Sequence, residues 1–97
     1  MNVTKVGSSK VSGTYLVGYV TTTYGKLVAT FGEPSLFGGI EDKVQTEWVL
    51  EFADGTVATI YDWKTYRESP TTLPYKWHIG GRSDKAVTLV TTALSGR

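Results

Sequence analysis

Residues 47–64 read Glu-Trp-Val-Leu-Glu-Phe-Ala-Asp-Gly-Thr-Val-Ala-Thr-Ile-Tyr-Asp-Trp-Lys, and their pattern decides the fold. Two alternating runs flank Asp54-Gly55, a pair suited to a two-residue type I′ hairpin turn. Such a loop pairs Ala53 with Thr56, Phe52 with Val57, Leu50 with Thr59 and Trp48 with Tyr61. That register gathers Trp48, Leu50, Phe52, Val57, Tyr61 and Trp63 on the expected core face. The other face carries Glu47, Val49, Glu51, Ala58, Ile60 and Asp62. It is half apolar, so it is expected to be partly covered by another element or another subunit.

Working outward, Thr14 to Val20 is aromatic and β-branched and predicts a strand, in which Gly18 marks a bulge or a close approach. Tyr24, Leu27, Val28 and Phe31 recur at helical spacing. Thr22 or Thr23 can cap that helix, Gly32 can end it, and Pro34 blocks its continuation. Residues 35–44 read as a glycine-containing loop whose Leu36, Phe37 and Ile40 form a candidate interface. Residues 65–74 have turn composition. Tyr75 to Ile79 predicts a short strand, followed by a helix from Asp84 to about Leu94 that Ser83 caps. The fold class is therefore α+β, a small antiparallel sheet in β-α-β-β-β-α order with two helices packed on one face. Residues 1–13 read as a loose N-terminal arm or a weak edge strand, and residues 14–97 as a single domain.

The composition narrows the function. A chain of 97 residues has the size of one domain, and 40% hydrophobic content supports a packed core rather than disorder. The net charge is +1, without the positive excess of a protein that coats long nucleic acid. The absence of cysteine excludes disulfides, thiolate metal sites and cysteine nucleophiles. No segment approaches the roughly 20 apolar residues of a membrane span, and the first ten residues lack a signal-peptide apolar run. The expected setting is the cytoplasm.

Catalysis has little to build on. His78 is the single histidine, and strand alternation points it away from Trp77 and Ile79. No nucleophile elbow, zinc-protease motif or phosphate loop accompanies it, so it reads as a surface, interface or ligand contact. In the two-residue register Glu47 and Asp62 face each other, an arrangement that could serve acid–base or metal chemistry, or be a solvated pair neutralised by lysines. The chain is accordingly read as a non-enzyme, with no cofactor or metal.

A denser constellation is aromatic and basic. Tyr61, Trp63, Lys64, Tyr66 and Arg67 follow the hairpin, and Tyr75, Lys76, Trp77, His78 and Arg82 come after the next loop. Such rings stack on a base while cations hold phosphate. Gly80, Gly81, Arg82 and Ser83 precede a helix and form a candidate anion cradle, although two turn glycines and a capping serine give the same sequence.

Residues 23–34, 47–64 and 77–83 together resemble a group of small tailed-phage accessory proteins, over most of residues 14–94. The resemblance implies expression in an infected bacterial cytoplasm and a counter-defence role, and it transfers no catalytic residue. Two functions follow as expectations: a homo-oligomer that sequesters a nucleotide-derived signal, or an inhibitor that binds a host protein. A small metal-dependent hydrolase is the third.

Overall fold

The computed structural model describes residues 3–6, 13–34, 36–37, 46–62 and 74–95. Along the chain come β1 (Val3–Lys5), β2 (Tyr15–Thr22), α1 (Tyr24–Phe31), β3 (Leu36–Phe37), β4 (Thr46–Phe52), β5 (Val57–Tyr61), β6 (Tyr75–Gly81) and α2 (Lys85–Ser95). The fold is α+β. The sheet runs β1-β4-β5-β6-β2, with β3 pairing β4 off this path, and every pairing is antiparallel. Both helices pack on one face, where Leu27, Phe31, Ala86, Val90 and Leu94 meet Trp48, Leu50, Ile60, Trp77 and Ile79.

The central hairpin turns at Asp54-Gly55, but over three residues rather than two. Gly55 N–H donates to the Phe52 carbonyl at 2.8 Å, which makes Ala53 and Asp54 the turn centre. Gly55 follows at φ 89°, and Phe52 N–H closes the loop on the Thr56 carbonyl at 2.8 Å. A type I′ turn needs positive φ at both central residues, whereas this loop needs it only at the glycine. Asp54 adds to it, its carboxylate accepting the Thr56 N–H at 2.9 Å and pairing with Lys85 of α2.

This loop corrects the expected register by one residue. Trp48 lies opposite Ile60, Leu50 opposite Ala58, and Glu47 opposite Tyr61. The inward set of β4 stands, with Trp48, Leu50 and Phe52 all buried. The β5 set turns over: Ala58 and Ile60 join the core, while Val57 and Tyr61 point to the face opposite α1 and α2.

Two indoles tie α1 to the sheet. Thr23 caps that helix by accepting the Lys26 N–H at 3.0 Å, and Gly32 ends it at φ 87°. Trp77 Nε1 donates to the Thr22 carbonyl just before the helix at 3.1 Å. Trp48 Nε1 donates to the Gly32 carbonyl just after it at 2.8 Å. Both tryptophans are fully buried, with ring centroids 5.6 Å apart at 82°. An eight-residue helix is marginal by itself, so these bonds and the apolar stripe hold it.

Helix α2 closes onto the sheet over glycines. A Cβ at Gly18 would fall 2.7 Å from Val87, and one at Gly81 would fall 2.6 Å from Ala86. The pairing of β2 with β6 shifts between Leu16 and Gly18, which is the bulge that Gly18 signals. Leu36 and Phe37 form β3, paired with Glu47 and Thr46, rather than part of a loop; Ile40 lies outside the described residues. Within residues 1–13, Val3–Lys5 forms an edge strand on β4.

Replacing Trp48 by Phe keeps a ring in the core and removes the indole donor. Urea unfolding is expected to show a loss of about 1–3 kcal/mol, the range for a buried carbonyl left without its donor. Unchanged stability would mean that the bond to Gly32 contributes nothing.

Candidate functional site

Side chains directly opposite each other on neighbouring strands share a face. The register therefore sets Tyr19 of β2, His78 of β6, Tyr61 of β5 and Glu47 of β4 in one row across the sheet. The row lies on the face away from the helices, because Trp77 and Ile79, on either side of His78, belong to the core.

The rings touch in sequence. Tyr19 and His78 meet edge-to-face at 5.0 Å and 67°, and His78 and Tyr61 meet at 5.3 Å and 30°. Lys76 Nζ stands 4.5 Å over the Tyr19 ring, so a cation flanks the β2 end and a carboxyl group the β4 end. Gly80 keeps the next row low: a Cβ there would fall 2.5 Å from Thr59 Oγ1 and 3.6 Å from the Tyr61 ring.

Exposure is graded along this face. Val49, Val57 and Thr59 are buried, and Glu47, Tyr61 and His78 are half-buried. Leu16 and Tyr19 on β2 are each 44% exposed, which is unusual for two large apolar side chains so close together.

Burial shapes the electrostatics as well. It pushes the Glu47 carboxyl above its ordinary range. It raises the Tyr61 hydroxyl, with the Glu47 charge and then Tyr19 adding to the effect. It lowers the His78 imidazole, the Lys76 charge lowers it further, and Asp62 opposes them. The row is thus biased toward neutral groups that donate or accept hydrogen bonds, with Lys76 as the adjacent positive charge.

Of the residues singled out from sequence, Tyr61, Lys76 and His78 are brought to one face. Trp77 is not a ligand contact: it is fully buried on the helix side and bonded to Thr22. Gly80 and Gly81 do not make the turn but belong to β6, flanked by β2 and β5, so their backbone groups lie inside the sheet. Ser83 Oγ accepts the Lys85 N–H at 3.3 Å, which is the capping role. Arg82 and Ser83 line an open recess of about 250 Å³ with Asp54, Gly55, Thr56 and Val57. That recess is separated from His78 by four residues of strand, or ~13 Å, and the Asp54 carboxylate in it is paired with Lys85. Trp63, Lys64, Tyr66 and Arg67 lie outside the described residues.

No family model matches this sequence, and no curated protein matches it either. The chemistry must be read from the chain itself.

The expected carboxylate pair does not form. Glu47 faces Tyr61, and fully buried Asp62 accepts the Thr46 N–H on its carboxylate at 3.0 Å. Among the described residues no three His, Cys, Asp or Glu side chains are grouped to hold a metal ion. Tyr19 joins the row without having been singled out, and Lys76 of the aromatic-basic constellation stands over it. Alternation along 15–22 and 75–81 could place them on outward faces, but the pairing of two strands so distant in sequence has no local signal.

The lowered imidazole has a definite sign in stability. Unfolded chains take up a proton near pH 6.5 that the folded protein resists, so stability falls as pH drops through and below 6.5. Glu47 acts oppositely, its contribution being lost as pH rises above about 4.5 through its raised value. His78→Gln is expected to flatten the decline between pH 7.5 and 5.5 in urea titrations. Equal slopes in both proteins would contradict the burial of His78.

Proposed function

We propose that this chain is a non-catalytic binding protein whose sheet face opposite α1 and α2 receives a flat, anionic, nucleotide-derived molecule. The observation that carries the proposal is the Tyr19–His78–Tyr61 row between Lys76 and Glu47. A base stacks on such rings, a carboxyl group bonds its polar edge, and the lysine pairs with phosphate. The resemblance to tailed-phage accessory proteins supports this reading, since in an infected bacterial cytoplasm sequestering a signalling nucleotide would counter host defence.

A second reading rests on Leu16 and Tyr19, whose exposure beside Tyr61 and His78 also suits a protein partner. It makes the chain an inhibitor docked on a host protein through the same face. The two readings differ in what stabilises the purified protein.

Thermal unfolding with a panel of cyclic di- and trinucleotides and ADP-ribose derivatives separates them. A bound ligand at a hundredfold its Kd adds ~2.7 kcal/mol, or roughly 10–20 °C in a domain of this size. Tyr61→Ala and Lys76→Glu are each expected to abolish the shift. If no member of the panel moves the transition, the nucleotide proposal fails. Capture of one host protein from lysate, lost in Tyr19→Asp, would then support the inhibitor.

A further inference from the structure

The two edges of the sheet are built differently. On one side β1 is three residues long and carries Lys5, whose Nζ reaches across to the Glu33 carbonyl at 2.9 Å. Short length and an edge lysine are the usual guards against strand addition. On the other side β2 is eight residues long, or ~27 Å of strand, and among the described residues it pairs with β6 alone. Residues 14–23, Thr-Tyr-Leu-Val-Gly-Tyr-Val-Thr-Thr-Thr, contain no Lys, Arg, Asp, Glu or Pro. Among the described residues the bulge at Leu16–Gly18 is the one protective device on this edge, and it leaves Gly18–Thr22 in regular register with β6. Tyr15 is 60% exposed, and Leu16 and Tyr19 are 44% exposed.

We infer that β2 is a self-association edge, on which a second copy of this chain adds its own β2 antiparallel about a two-fold axis. A strand without formal charges pairs with itself without opposing like charges, whatever the register. Its tyrosine, valine and threonine residues are good cross-strand partners on either face. A net charge of +1 leaves little repulsion between copies. The seam would bury Leu16 and Tyr19 of both chains and join two copies of the aromatic row into one face. The inference concerns the edge, and it stands or falls apart from what that face binds.

Native mass spectrometry and hydrogen exchange test it on the full chain. The wild type is expected to be a dimer in which the amides of residues 18–22 are protected. Leu16→Glu/Thr21→Glu sets carboxylates on both sides of the seam and is expected to give a monomer in which that protection falls. Thr21→Glu alone, at an exposed position opposite Lys76 on β6, guards against loss of fold. A monomeric wild type would overturn the inference, including the case in which β2 takes a strand from another protein. So would a dimer that persists in the folded double variant.

Discussion

Two indole N–H groups hold the molecule in its shape. Trp77 reaches the carbonyl that enters α1 and Trp48 the carbonyl that leaves it, so the helix is fixed at both ends to the middle of the sheet. Each bond gives a buried indole its acceptor, and the Trp48 bond also supplies a donor at the carbonyl end of α1. The perpendicular contact between the rings couples the two attachments. With α1 placed and α2 drawn in over Gly18 and Gly81, both helices occupy one face, and the Tyr19–His78–Tyr61 row lies on the other.

What those groups are depends on the hairpin loop. Had Asp54-Gly55 closed a two-residue turn, Tyr61 would have joined the core and Ile60 would have faced outward. The three-residue loop keeps the strained backbone on glycine and lets Asp54 satisfy Thr56 and meet Lys85. The resulting shift buries Ile60 between Trp48 and Ile79 and sets Tyr61 between Glu47 and His78. Apolar gain on one face and a ring row on the other come from the same step of one residue.

The legible parts of the fold were local. Helix α1 follows from the spacing of Tyr24, Leu27, Val28 and Phe31, with Thr23 and Gly32 at its ends, and α2 follows from Ser83 and the Ala86–Val90–Leu94 stripe. The β4 core face was legible because Trp48, Leu50 and Phe52 alternate without ambiguity. The β5 face was not, since Asp-Gly suits both loop lengths and both faces of that strand carry apolar residues. Of the candidate row and its flanking cation, Tyr61, Lys76 and His78 were legible. Tyr19 required the pairing of β2 with β6, which no periodicity encodes, and Trp77 misled because a basic and aromatic neighbourhood masked its place in the core.

The central claim is the register that turns Tyr61 toward His78. Proton–proton contacts between aromatic rings in solution measure it directly. The expected pattern has His78 ring protons close to both the Tyr19 and Tyr61 rings, and no contact between the Tyr61 ring and the Trp48 indole. A strong Tyr61–Trp48 contact, with none from Tyr61 to His78, would restore the two-residue loop and remove the row.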